Sequence, residues 1–234
     1  MTYLSRAGIS KSRIHVFTQT EEDYKKYVNK VPEATIHYTP AKRAVEARNN
    51  ILNELSENED IIMLDDDVRQ IGRLKNGKIR KIEGAQELDE TFDKCFKSAK
   101  RSGSEFFGIY PVYNDFFMEN SISTRTTVNT VFGFAKGFKF RYDENYDTKE
   151  DAELCGRVLS IGGKILRFNF LAVDADHRKT KDGYIDDWHQ EENVRCVKQL
   201  CFSYPEIFAK QKDKPWEVRV LIKDKKIQLK NNRA

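Results

Sequence analysis

Apolar and polar positions follow two different periods in this chain. Arg13 to Thr18 (Arg-Ile-His-Val-Phe-Thr) and Thr35 to Tyr38 read as strands. Between them Glu21 to Asn29 reads as a helix, with Thr20 as its cap and acidic residues in its first turn. Thr39-Pro40 offers an N-cap followed by proline at the first helical position. The helix expected behind it, Ala41 to Leu55, turns Ala44, Val45, Ala47, Ile51, Leu52 and Leu55 towards a core. Ile61 to Leu64 is an unbroken apolar run, the pattern of a buried parallel strand. The chain also opens in a helical stretch that ends near Gly8. Strands alternating with helices predict a parallel, doubly wound half.

Beyond residue 68 the pattern changes. Gln70 to Leu74 and Lys78 to Ile82 flank Asn76-Gly77, a hairpin signal. A helix is predicted over Gln86 to Ser102, with Leu88, Phe92, Phe96 and Ala99 on one face and Gly103 beyond its end. Phe106 to Tyr110 and Thr130 to Lys136 read as strands, with an aromatic, polar stretch between them. Thr148 is a candidate cap for a helix over Glu150 to Ser160. Lys164 to Asn169 and Leu171 to Val173 look extended, and Trp188 to Phe202 helical. Trp216 to Ile222 and Ile227 to Leu229 are expected to form a C-terminal hairpin.

With 234 residues and 39% hydrophobic composition, the chain can bury a sizeable core. Its net charge of +4 permits a polyanionic partner without demanding one. The four cysteines show no Cys-x-x-Cys pairing and lie in or at the ends of helical patterns, so free thiols in a reducing compartment are expected. No apolar run has transmembrane length and no signal peptide is evident. The expectation is a soluble, intracellular protein with no membrane partner. P-loop, dinucleotide-binding and nucleophile-elbow motifs are absent, as is any zinc-type Cys/His spacing.

The chemistry concentrates where the apolar run of 61–64 ends in Asp65-Asp66-Asp67. Ligands of open α/β sheets bind at the carboxyl ends of strands. Two carboxylates about 4 Å apart repel by about 4 kcal/mol at an effective dielectric near 20, so the cluster calls for a cation. Hard oxygen donors suit Mg²⁺ or Mn²⁺, which usually arrive with a phosphate. Asp65 and Asp67, one residue apart, can point to the same side as metal ligands, leaving Asp66 for a ribose or for backbone amides. A solvated acidic turn is the simpler alternative. Arg48, on the preceding helix, can reach a phosphate or remain a surface arginine. Glu150 or Asp151 can serve as a catalytic base, although Thr148 and Asp151 also fit a loose capping box, which spacing alone favours. His177 is either a third metal ligand or an exposed loop histidine. Arg69, Arg73, Lys75, Lys78, Arg80 and Lys81 make the hairpin the densest basic patch, able to follow a phosphate backbone or simply to keep an edge soluble. Phe116 and Phe117 are core residues or exposed stacking platforms.

Taken together, Ala47-Arg48-Asn49, Ile61 to Asp67, Gly133, Glu150-Asp151 and His177 resemble a GT-A glycosyltransferase. More narrowly, Leu4-Ser5-Arg6-Ala7-Gly8-Ile9, Arg13-Ile14-His15-Val16-Phe17 and Met63 to Val68 resemble the TET-associated glycosyltransferases, phage members included. The resemblance implies an α/β, GT-A-like single domain over residues 1–234. Its Rossmann-like nucleotide-sugar half is residues 1–68, and a mixed sheet lies in the acceptor half, residues 69–234. It implies a nucleotide-sugar donor, UDP-linked, whose diphosphate is held by Mn²⁺ or Mg²⁺ on Asp65, Asp67 and His177. Arg48, Asn49, Asp65, Asp66 and Gly133 then lie on the donor side, Asp65 assisting the metal or holding the ribose, and Asp151 or Glu150 supplies the base. The acceptor implied is a hydroxymethyl-pyrimidine of DNA, with the host cytoplasm as the setting if the source is viral. The resemblance also implies a strand ahead of the first helix, where this chain has none; either the start is truncated or another segment takes that place. A protein or glycan acceptor, a nucleotidyltransferase, and a non-catalytic binding module are the competing readings.

Overall fold

The computed structural model describes residues 2–65, 67–175 and 187–229. Helix α1 (Thr2–Arg6) leads through a short 3-10 turn to strand β1 (His15–Thr18). Helix α2 (Glu21–Lys30) returns the chain to β2 (Thr35–Tyr38), which lies parallel to β1. Thr20 caps α2 as its position suggested, its hydroxyl accepting from the N–H of Asp23 at 3.1 Å.

Helix α3 (Ala44–Leu55) begins three residues later than the Thr39-Pro40 pair predicted. Side chains hold the intervening residues out of the helix. Glu46 accepts the N–H of Lys42 at 2.8 Å and pairs with Arg43, which also reaches Asp147 at 3.1 Å.

Strand β3 (Ile61–Leu64) follows, then the hairpin of β4 (Val68–Lys75) and β5 (Lys78–Lys81). Asn76 and Gly77 both take positive φ, 54° and 73°, as a type I′ turn requires. Helix α4 (Ala85–Ser102) buries Leu88, Phe92, Phe96 and Ala99 as the pattern indicated. Next come β6 (Phe106–Tyr110), β7 (Ser121–Ser123), β8 (Val131–Phe134), α5 (Glu150–Ser160) and β9 (Ile165–Ala175). The two extended stretches expected after residue 163 are thus one strand. Helix α6 (Asp187–Ser203) and strands β10 (Phe208–Gln211), β11 (Lys214–Val220) and β12 (Lys226–Gln228) complete the chain.

The main sheet runs β12-β7-β9-β6-β8-β3, and β4, with β5 on its outer side, joins the second half of β9. The architecture is α/β with mixed sheets. Strand β3 departs from expectation: it pairs with β8 antiparallel, Leu64 opposite Val131, and not with a parallel neighbour. An apolar run reports burial on both faces and carries no information on direction. The C-terminal hairpin also differs. Strand β11 pairs with β10, while β12 crosses to β7, where Lys226 meets Glu119 at 2.7 Å and Asp224 meets Arg167 at 3.6 Å. Those anchors lie far away in sequence, so local pattern could not show them.

Two apolar layers flank the sheet. Val45, Leu52 and Met63 join Leu154 and Leu200 on one face, while Tyr3, Ala7, Ile71, Phe92 and Ile109 pack on the other, with Ile62 and Leu64 against them. Helices α3 and α1 therefore cover opposite faces of β3. Beside β3 opens a groove of about 490 Å³, lined by Val16 and Phe17 of β1, Ile51 and Leu55 of α3, Tyr3 and Leu4 of α1, and β3 itself. Strand β1 pairs only with β2, and β3 only with β8, so among the described residues no strand lies between them. No helix among the described residues is long and apolar enough to cross a membrane.

Candidate active site

The carboxyl end of β3, the middle of α3 and the first turn of α5 converge above this groove. Asp65 leaves β3 and the chain turns at once, the N–H of Val68 donating to the Asp65 carbonyl at 3.4 Å. Arg48 donates to Asp65 at 3.2 Å and makes a short bond to Glu150. Its guanidinium also sits 5.7 Å from the centroid of the Tyr142 ring, within cation–π range. Residues 17 and 102 positions away from Arg48 in sequence are thus joined through one cation.

This environment changes the charges. Burial alone would lower the pKa of Arg48, but Tyr142, Glu150, Asp65 and Asp151 outweigh it and hold the guanidinium more firmly protonated. Burial raises the carboxyl of Glu150, with Arg48 opposing it and Asp151 adding to it. Burial raises Asp151 in the same way, against the pull of Arg48 and of the Ala152 N–H, which donates to Asp151 at 2.7 Å. Two neighbouring carboxyls with raised pKa values, held at a helix start beside a strand end, fit general acid or base work.

The capping reading of Thr148 and Asp151 is not what forms. Lys149 occupies the N-cap position in the left-handed region, φ 64°, and its side chain makes no capping hydrogen bond. Asp151 is left to the site by default, because its oxygen serves the N–H of the next residue and not a distant cap.

The other expected residues fall in different places. Asn49 turns into the body, accepting the N–H of Tyr142 at 2.8 Å and donating to its carbonyl at 3.0 Å. It secures the residue that backs Arg48. Gly133 lies within β8 between β3 and β6; a Cβ there would come within 2.0 Å of the Phe107 ring. Its place is explained by packing. Asp67 is half-buried just past the turn. Asp66 and His177 lie outside the described residues, although Ala175, two positions before His177, pairs with Val68 beside Asp67. Among the described residues no three His, Cys, Asp or Glu side chains gather closely enough to hold a metal. All four cysteines are free, and Cys95, Cys155 and Cys196 are buried.

Tyr142 had no signal in the sequence. Its spacing from Arg48 follows no helical or strand period, and only the fold brings them together.

A second surface lies on the hairpin. Strand β5 is an edge that presents Lys78, Arg80 and Lys81. Lys78 pairs with Asp115 at 3.2 Å, and Tyr113 packs against the Gly72 backbone, so the aromatic stretch is laid against the basic one. Phe116 and Phe117, 84% and 53% exposed, meet edge to face at 5.0 Å. They are surface residues, which removes the core reading of these phenylalanines.

No curated protein matches the chain. A family model does: that of the TET-Associated Glycosyltransferase, over residues 1–183. The match takes in the acidic strand end, Arg48, Glu150 and Asp151, and it covers well over half of the chain; the protein belongs to the TET-Associated Glycosyltransferase family.

Proposed function

We propose that this glycosyltransferase has a GT-A fold and moves a sugar from a UDP-linked donor to the hydroxyl of a hydroxymethyl-pyrimidine in DNA. The observation that carries the reading is the Arg48 bridge between Asp65 and the Glu150–Asp151 pair. It joins an acidic strand end, which lines the groove, to a candidate base on the first turn of α5.

The donor set fits a hard divalent ion. Asp65 and Asp67 flank the turn after β3 and offer only carboxylate oxygens. With no third ligand among the described residues, Asp66, His177 or the donor's own phosphates complete the sphere. When bound, Mn²⁺ or Mg²⁺ supplies charge neutralisation of the leaving diphosphate. The chain's own residues do the rest. Asp151 accepts the proton of the attacking hydroxyl, and Glu150 stands next to it as the alternate base. Arg48 holds Glu150 in place and keeps positive charge beside the phosphates. Burial keeps these groups out of bulk water, where each electrostatic contact counts for more.

The acceptor reading draws on the basic β5 edge beside Phe116 and Phe117. Cationic residues track phosphates, and an aromatic face stacks on a base turned out of its duplex.

The test is a thermal-shift panel of nucleotide-sugars with and without Mn²⁺, followed by transfer to a hydroxymethyl-pyrimidine oligonucleotide. A ligand at 100 times its Kd stabilises by about 2.7 kcal/mol, a readily measured shift. A Mn²⁺-dependent shift with UDP-sugars, lost in Asp67→Asn, is expected. Release of nucleoside diphosphate marks glycosyl transfer, and release of pyrophosphate would mark a nucleotidyltransferase. Equal shifts in the mutant and the wild type would remove the metal assignment.

A further inference from the structure

Thr130 holds a backbone conformation that a β-branched residue seldom adopts. Its φ is 70°, and the N–H of Val131 donates to the carbonyl of Asn129 at 2.8 Å. These residues form a γ-turn of the left-handed kind, the rare and strained form. A β-branched side chain at positive φ is a true outlier, and such strain persists only where the surroundings enforce it. Thr130 is buried, so the surroundings do so here.

The turn stands between the two halves of the site. In the β3–β8 register Leu64, the residue before Asp65, faces Val131, the residue after Thr130, so the turn stands at the strand end from which Asp65 leaves. On its other side the turn is tied to α5. The Val128 N–H meets Sγ of Cys155 at 3.5 Å, and that thiol donates back to the Val128 carbonyl at 3.7 Å. Cys155 is one helical turn beyond Asp151. Residues 128–130 therefore bridge the acidic strand end and the helix that carries the candidate base. Asn129, at the start of the turn, is exposed and forms no side-chain hydrogen bond to any described residue.

We infer that this turn is a specificity element. Thr130 is a positioning residue whose strained backbone sets Asn129 at the mouth of the site, where its amide binds hydroxyls of the sugar on the donor. A carboxamide both donates and accepts, as a sugar hydroxyl does, and a site built to bond hydroxyls discriminates between sugars. The inference rests on the glycosyl-transfer reading above.

The test measures binding, not turnover. Calorimetric affinities for UDP and for UDP-glucose, UDP-galactose and UDP-N-acetylglucosamine are taken with Mn²⁺, on wild type, Asn129→Ala and Thr130→Gly. Glycine takes positive φ without strain, so Thr130→Gly melts above wild type in the absence of ligand. Asn129→Ala should bind UDP as wild type does, yet lose about tenfold of the affinity gained from the preferred sugar, and Thr130→Gly should do the same because glycine is equally free to leave the positive φ that fixes Asn129. A purely structural turn predicts the higher melting temperature with the sugar gain intact, and that result overturns the inference. So does a wild type that binds every UDP-sugar no better than UDP. If wild type binds neither UDP nor UDP-sugars, the glycosyl-transfer reading itself fails, a separate result. Were Thr130→Gly to misfold, Asn129→Ala alone decides.

Discussion

A single arginine ties the candidate site together. Arg48 lies on a helix face, largely buried, between two carboxylates and over an aromatic ring. Removing either carboxylate would leave the cation under-compensated, which ties the site's geometry to its charge. The raised carboxyls of Asp151 and Glu150 have a measurable consequence. A base works only when deprotonated, so the acid limb of kcat/KM should lie above the ordinary carboxylate range near pH 4, because burial lifts the pKa. Asp151→Asn should lower the rate by about 10² or more and flatten that limb. Stability carries the opposite sign. A carboxyl raised by folding binds more protons folded than unfolded. Its contribution is complete below the unfolded pKa and is lost as pH rises through the folded one. Urea titrations of wild type and Asp151→Asn across pH 4 to 8 should show a smaller fall with pH in the mutant; parallel curves would deny the buried, raised carboxyl.

Element ends are where local pattern was least reliable, and their reasons can be tested. Thr20 caps α2 and Thr39 caps nothing. The Thr39 hydroxyl is buried and has no hydrogen-bond partner among the described residues. Thr20→Ala should therefore cost about 1 kcal/mol. Thr39→Val should be neutral or stabilising by up to about 1 kcal/mol, since it removes an unmet polar group. Denaturant melts of both mutants check this, and a loss of about 1 kcal/mol in Thr39→Val would restore the cap at that position. The edges of β1 make a second case. The bonds from the Thr35 N–H to Ile14 and from the Thr39 N–H to Thr18 turn the even residues of β1 towards β2. His15 and Phe17 then direct their main-chain groups into the groove beside β3. Their amides should exchange with solvent faster than those of Val16 and Thr18. Equal protection of all four would mean that the groove is filled.

At the scale of the whole molecule, the site and the basic hairpin are two regions of one sheet. Strand β4 leaves the Asp65 turn, pairs with β9 and carries β5 to the edge, so the cationic strand follows directly from the acidic one. DNA held along that edge would run beside Phe116 and Phe117. Replacing Lys75, Lys78 and Lys81 with Ala should weaken DNA binding and reduce the magnitude of its salt slope by about 0.9 per lost phosphate contact. UDP-sugar affinity should not change, because the hairpin is not among the residues around Arg48. The measurement is DNA affinity at several salt concentrations; matching slopes for wild type and triple mutant, or no binding at low salt, would turn attention to a protein or glycan acceptor.

What was legible in the sequence was whatever depends on near neighbours. The apolar run of 61–64 as a strand, the Asn76-Gly77 turn, the Thr20 cap and the buried face of α4 all express spacing along a strand, turn or helix, and each was recovered. The candidate site was legible as residue types, since Asp65, Arg48, Glu150 and Asp151 stood out by chemistry and motif, but not as an arrangement. The antiparallel pairing of β3, the crossing of β12 to β7, Tyr142 beneath Arg48 and the strained turn at Thr130 are contacts between distant segments. Burial and pairing decide them, and neither has a period along the chain. Tertiary structure alone decided that Asp151 stands near Arg48 and does not cap its helix, with Lys149 in the left-handed N-cap position.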